Sequence, residues 1–379
     1  MLVNKNRIKR INMTTQAAFL ERVKQSLCPP GNGVFTVNTA KERKEQLHQS
    51  LYGQTNDIEN LWADSLDKLA AGSKAVMLGV ASDCGGGILR GANWGPLFVR
   101  STLLKNHPEL SHFDLGDVRV IPHLLHDKYL NDQTIANCRK ALYQNEASDL
   151  AVSPLTITED VLHDFYATYP EKGVFGIGGD HSISYALTKP YLQAKKAQGK
   201  RAAIIHFDAH TDLLVERLGI DLCFGSWCTH ILEDLNDPSH LIQIGIRSSG
   251  KPKAHWEGTF GVKQHWAHEV LERGVDAIIE DILSQLHEQQ IDELYVSFDI
   301  DALDDSFAAA TGTPEPDGMT PEQALKILQK LSEQFPITGA DMMEIAPFTD
   351  STGKGAESSE KTLKIGAEIS AFLIEQMCK

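Results

Sequence analysis

From about residue 75 to the C-terminus, short apolar runs alternate with amphipathic stretches. The runs KAVMLGV, GVFGIG, AAIIHFD, LIQIGI, ELYVSFD and PITGADMME are nearly continuous in hydrophobicity. They lack the polar-apolar alternation of a half-exposed strand, so they read as parallel strands buried on both faces. Helical periodicity lies between them, at residues 96–104, 183–196, 321–334 and 359–376. Strands alternating with helices predict an α/β protein: a three-layer α/β/α sandwich around a doubly wound, mainly parallel sheet.

Residues 1–73 have a different character, rich in Lys, Glu, Gln and Asn. Amphipathic stretches at 17–27 and 58–69 flank the break CPPGNG. Phe19, Leu20, Leu61, Trp62 and Leu69 recur at helical spacing, which predicts a helical extension packed on the main domain, residues 74–379, or on a neighbouring subunit. Both Met1 and Met13 are candidate starts.

Three of the apolar runs end in acidic clusters: Gly-Gly-Asp-His-Ser at 178–182, Asp-Ala-His-Thr-Asp at 208–212 and Ser-Phe-Asp-Ile-Asp at 297–301. In a doubly wound sheet, ligands collect outside the carboxyl ends of the strands. Continued strand alternation would let Asp208, His210 and Asp212 share a face, and likewise Asp299 and Asp301. Each cluster alone also fits a polar turn. Together with His181 they bring four carboxylates and two imidazoles to one end of the sheet, where the acids repel one another unless cations compensate. The set is too large for one tetrahedral zinc. It suits two divalent ions with five or six ligands each, Mn(II) first, with Ni(II) and Fe(II) also compatible.

Composition narrows the partners. A net charge of -15 across 379 residues argues against nucleic acid and anionic membranes, and an acidic surface favours a cationic substrate, or serves solubility alone. Six cysteines without a CxxC pair point to reduced thiols in a cytoplasmic protein. No apolar run reaches the length of a membrane span.

GGDHS, DAHTD and SFDIDALDD, in that order, resemble the metal-binding motifs of the arginase/agmatinase (ureohydrolase) family. GVASDCGGGILRGANWGPLFVR, DLGDV, DPSHLIQIGIR and TGTPEPDGM resemble further family segments, so the likeness spans about residues 74–379. The resemblance implies that His181, Asp208, His210, Asp212, Asp299 and Asp301 hold two metal ions, and that Glu344 in DMMEIAP grips a guanidinium group. It also implies a homo-oligomer, a trimer or hexamer, and cleavage of a guanidino compound to urea and an amine or ammonia. Agmatine, a guanidino acid and a small guanidine are the candidate substrates. Asp212, beside the attacking water, is the candidate proton carrier.

Two departures stand out. Many relatives carry a His-Gly pair a dozen or so residues after DAHxD, as a proton shuttle; here Phe224 or Cys223 occupies that position. His230 is nearby, either as a substitute shuttle or as an ordinary residue of a helix from Ser226 to Leu235. Leu213 and Leu214 follow DAHTD where arginases place a polar residue, which disfavours arginine. Trp227 and Phe224 read either as an aromatic wall around the substrate or as core, and Arg217 either as a partner for a substrate carboxylate or as a surface ion pair. The competing functions are a metal-binding pseudoenzyme or regulatory subunit, a formimidoylglutamate hydrolase, and a zinc deacetylase, whose site needs fewer carboxylates.

Overall fold

The computed structural model describes residues 15–34, 36, 38–86, 89–349 and 356–379. Both candidate starts, Met1 and Met13, lie outside the described residues. In chain order the elements are α1 (Thr15–Ser26), β1 (Leu27–Cys28), α2 (Lys41–Tyr52), α3 (Ile58–Ser65), β2 (Ala75–Gly79), α4 (Gly95–Asn106), β3 (Phe113–Val118), α5 (Asp132–Tyr143), α6 (Pro154–Thr168), β4 (Gly173–Ile177) and α7 (Ile183–Ala197). They continue with β5 (Ala202–Phe207), β6 (Leu241–Ile246), α8 (Lys253–Phe260), β7 (Lys263–Trp266), α9 (Ala267–Arg273), α10 (Val275–Glu288), β8 (Glu293–Asp299), α11 (Pro321–Ser332), β9 (Ile337–Met343) and α12 (Ala356–Met377).

Among the described residues the strands form one nine-stranded sheet in the order β1-β3-β2-β4-β9-β8-β5-β6-β7. Every pairing is parallel except β1 with β3. Strand residues alternate between the two faces. Ala203, Ile205 and Phe207 of β5, with Leu294, Val296 and Phe298 of β8, pack under α4, α10, α11 and α12. Ala202 and Ile204 of β5, with Tyr295 of β8, pack under α1, α6 and α7. The result is the α/β/α sandwich predicted from the apolar runs, and all six runs are strands.

The N-terminal segment is woven into this core. Phe19, Leu20, Val23, Leu27 and Trp62 join the second apolar layer, and the Trp62 indole N–H donates to the Leu115 carbonyl of β3. Leu27 and Cys28 add the antiparallel edge strand, pairing with Val118 and Asp117. Arg100 of α4 is wholly buried where these parts meet and is neutralised by Asp114 and Asp117 at 2.8 Å each. The Asp117 carboxylate also accepts the backbone N–H groups of Gly31 and Gly33, tying the CPPGNG turn to β3.

Candidate metal centre

Four adjacent central strands, β4, β9, β8 and β5, deliver their carboxyl ends to one place. His181 and Asp180 follow β4. Asp208 follows β5, Asp299 ends β8 and Glu344 follows β9. The loop after β4 must pass close to its neighbour: a Cβ at Gly179 would sit 1.7 Å from the Ser82 carbonyl oxygen, so only glycine fits. Asp180 then closes the turn, accepting the Ser182 and Gly85 backbone N–H groups, and α7 begins at Ile183.

All six sequence-predicted cluster residues converge. His181 Nδ1 lies 3.0 Å from Asp299 Oδ2, 3.1 Å from Asp208 Oδ2 and 3.3 Å from Asp212 Oδ2. His210 Nδ1 lies 3.3 Å from Asp208 Oδ1 and 3.2 Å from Asp301 Oδ2. Asp208 therefore stands between two donor groups, one oxygen toward each. The way they converge differs from the expectation of continued strand alternation. The strand of β5 stops at Phe207; residues 208–212 are a loop, and Asp212 sits at φ +49°. Asp301 is the middle residue of the three-residue 3-10 helix Ile300–Ala302, and its backbone N–H donates to the capping Asp299 carboxylate. Glu344 is likewise left-handed, at φ +62°. Left-handed backbone in non-glycine residues is strained and gathers at functional sites; here it aims two carboxylates inward.

The electrostatics call for cations. The His181 Nδ1 atom is buried, has no hydrogen-bond partner and faces three carboxylate oxygens. Its other nitrogen is already used: Nε2–H donates to Ser297 Oγ at 3.0 Å, and the Ser297 hydroxyl donates to Asp341 at 2.8 Å. That leaves a lone pair on Nδ1 aimed into the acids. Burial, then the charges of neighbouring carboxylates, push Asp212 and Asp299 well above the usual carboxylate range. Burial opposes charge on His181, yet its contacts with Asp208 and Asp299 hold the imidazole well above its ordinary value. A site that must otherwise take up protons on acids and imidazole alike is one that divalent cations fit.

Further residues support the cluster, and sequence reasoning did not single them out for it. Glu315, within TGTPEPDGM, lies 3.4 Å from His210 Nε2, and Thr313 Oγ1 donates to Asp301 Oδ2 at 2.8 Å. Arg247, at the end of LIQIGIR, donates to the carbonyls of Asp301, Leu303, Glu315 and Pro316 and so binds the loops after β8 together. His206, two residues before Asp208, places Nε2 2.9 Å from Asp208 Oδ2 and falls within a group of potential metal donors with His181, Asp208 and Asp212. The signal for His206 was present as a polar residue in an otherwise apolar strand.

The other sequence-predicted residues are placed as follows. Glu344 is buried; its Oε1 accepts the His181 backbone N–H at 2.9 Å, and burial, then Asp299 and Asp180, push its carboxyl well up. Trp227 is 0 % exposed, packs its ring 5.1 Å from both His181 and His206, and gives its indole N–H to Asp212. It lies inside the core beneath the cluster, and a wall position around substrate is corrected accordingly. Phe224 is half-buried, its backbone N–H on the Gly85 carbonyl and its ring under the Arg217 guanidinium. No helix runs from Ser226 to Leu235. The 3-10 helix Trp227–His230 ends after one turn, and His230 Nε2 bonds the Asp221 carbonyl at 2.9 Å with its ring beside Tyr185. Leu213 is core, and only Leu214 is partly exposed.

Fold and cluster together define a class: doubly wound α/β proteins that gather carboxylates and imidazoles at adjacent strand ends, where a divalent metal could be held. The chain belongs to the arginase family, whose model matches residues 73–374. It is 31% identical over 327 residues to the mitochondrial agmatinase of Gallus gallus, covering 82% of each chain. It is 30% identical over 303 residues to the mitochondrial guanidino acid hydrolase of Homo sapiens, covering 75% of each. Among solved structures, proclavaminate amidino hydrolase from Streptomyces clavuligerus superposes with a TM-score of 0.60 at 26% identity, over 81% of this chain and 92% of that one. Among the described residues no helix is long and apolar enough to cross a membrane.

Proposed function

We propose that the protein is a ureohydrolase in which His181, Asp208, Asp212 and Asp299 hold one divalent ion and His210, Asp208 and Asp301 a second, and that it cleaves a guanidino compound to urea and an amine or ammonia. The observation that carries this reading is the unpartnered, buried His181 Nδ1 facing three carboxylates, beside an Asp208 that turns an oxygen to each half of the cluster. Mn(II) is the preferred ion from the hardness of a carboxylate-rich set, with Ni(II) or Fe(II) admitted by the two imidazoles. Bound there, the two cations supply the electrophilic pull that makes a water nucleophilic near neutral pH.

The chain's own groups do the rest. Glu344 is held by the His181 N–H through Oε1, which leaves Oε2 for the guanidinium N–H groups. Gly312 keeps a side chain away from this oxygen, since a Cβ there would lie 3.3 Å from Oε2. A guanidinium carbon is a poor electrophile, so fixing it in the path of the water by a charge-assisted contact contributes much of the rate. Asp212 has Oδ2 held by the Trp227 indole N–H, leaving Oδ1 to take a proton from the attacking water. That proton passes to the leaving nitrogen as the tetrahedral intermediate collapses.

Agmatine, a guanidino acid or a small guanidine is the substrate class. The likeness to an agmatinase and to a guanidino acid hydrolase supports it, as does the apolar start of the loop after Asp212. A homo-oligomer belongs to the same reading, supported by the exposed Val215 and Leu218; so does a reducing, cytoplasmic location, supported by six free cysteines. The family match beginning at residue 73 supports treating the preceding residues as an extension. The test is urea release from agmatine, guanidino acids, guanidine and arginine by the metal-loaded protein. Turnover of one of the first three above arginine is expected; release from none of them would overturn the reading.

A further inference from the structure

One register of this apolar sheet is polar from strand to strand. Asp341 of β9 pairs with Ser297 of β8, Ser297 with His206 of β5, His206 with Gln243 of β6, and Gln243 with Gln264 of β7. Paired residues point to the same face, and all five are buried. The half of the row containing Asp341 and Ser297 orients His181, as described above. The side chains of Gln243 and Gln264 hydrogen-bond to His206, Thr211, Cys228, Trp266 and each other rather than to the residues proposed to hold a metal, and buried amides are costly to keep unless every donor and acceptor is matched.

The direction of these hydrogen bonds is fixed from the far end. The indole of Trp266 can only donate, and its Nε1–H is given to Gln264 Oε1 at 2.8 Å. Gln264 therefore presents Nε2 to Gln243 Oε1, at 2.8 Å. Gln243 in turn presents Nε2 to His206 Nδ1, at 2.9 Å. The same Nε2 donates to the Thr211 carbonyl at 2.6 Å, and a carbonyl can only accept, so the orientation of Gln243 is set twice over. His206 Nδ1 is thus an acceptor. The proton of the neutral imidazole sits on Nε2, which lies 2.9 Å from Asp208 Oδ2.

We infer that Trp266, Gln264 and Gln243 form a one-way relay that locks His206 as the Nε2–H tautomer, making it a positioning residue for Asp208 and excluding it as a metal ligand. His206 lies within donor reach of His181 and Asp212 as well, so proximity alone would admit it as a third imidazole ligand. The relay removes that option, because the only ring nitrogen near the cluster carries a proton. Its N–H instead steadies the carboxylate that faces both halves of the centre, in the way that outer hydrogen bonds orient ligating groups. The inference rests on the reading of the cluster as a metal centre.

The experiment compares the Mn(II)-loaded full chain with Gln243→Leu, His206→Phe, His206→Gln and Trp266→Phe. Two quantities are read: ion retention against a competing chelator, and the number of directly coordinated imidazole nitrogens from electron spin-echo modulation. Gln243→Leu and His206→Phe are expected to weaken retention about 10–100-fold. His206→Gln keeps an N–H donor and should restore most of the loss, with the imidazole count unchanged. Wild-type retention in both Gln243→Leu and His206→Phe would overturn the relay, and so would an imidazole count that falls by one in His206→Gln. Should the buried variants fail to fold, Trp266→Phe at the partly exposed end decides: severalfold weaker retention upholds the relay and unchanged retention overturns it. A wild-type chain that takes up no Mn(II) would instead defeat the metal-centre reading itself.

Discussion

The indole Nε1 of Trp227 donates to Oδ2 of Asp212 at 2.8 Å from a side chain that is wholly buried. Asp212 sits at φ +49°, a conformation that a short acidic side chain tolerates only when its surroundings hold it. The indole supplies that hold. Trp227→Phe keeps the ring packing against His181 and His206 and removes only the N–H. It should lower kcat about 10-fold or more, and loosen the ion on the His181 side, with little change in KM. Steady-state kinetics with metal analysis on the same preparation checks this, and wild-type kcat would show that the bond is incidental.

Glu344→Gln retains the shape and can still accept the His181 backbone N–H through its amide oxygen. It loses the charge that faces a guanidinium. Turnover should fall on the order of 100-fold with metal content unchanged, and wild-type turnover would place the substrate elsewhere.

His230→Ala should change kcat by less than about threefold, below the hundredfold or more typical of a lost general acid. The reason is geometric: its Nε2 is engaged by the Asp221 carbonyl and its ring by Tyr185. A hundredfold loss would instead assign it the proton shuttle.

Much of the fold was legible because apolar runs without alternation admit few arrangements other than a buried parallel sheet. Strands and helices hidden by mixed composition were missed. FDLGDV is a strand whose Asp114 and Asp117 neutralise the buried Arg100, and no local pattern reveals a partner from another element. In the site, the acidic residues were readable as a group from strand-end spacing, whereas their mode of convergence was not. Positive φ at Asp212 and Glu344 and the 3-10 turn at Asp301 depend on tertiary surroundings. Trp227 illustrates the same limit: an aromatic near a site reads equally as wall or core until its N–H is seen on Asp212. His206 and Gln243 carried a signal that hydrophobicity alone discards, a polar residue in the middle of a buried strand.

His265 gives a pH effect separate from the metal site. Burial, and then Lys253, lower its imidazole from 6.5 to about 4. With the folded value below the unfolded one, the unfolded chain binds the proton first as pH falls. The His265 contribution to stability is therefore full above about pH 6.5, declines between there and about pH 4, and changes no further below; a gap of that size is worth about 3 kcal/mol. His265→Gln has no such proton to bind. Urea unfolding at pH 7.5 and pH 4.5 should show the wild type losing more stability than the variant by up to about that amount, and equal losses would contradict the assignment.

The metal content of the purified chain tests the central claim most directly. Element analysis of the wild type loaded with Mn(II) and freed of excess should give two ions per chain, and Asp208→Ala, which removes the carboxylate facing both halves, should lose at least one of them with nearly all urea release. A wild type that settles at one ion per chain, or an Asp208→Ala variant that keeps both ions and full activity, would contradict the binuclear centre.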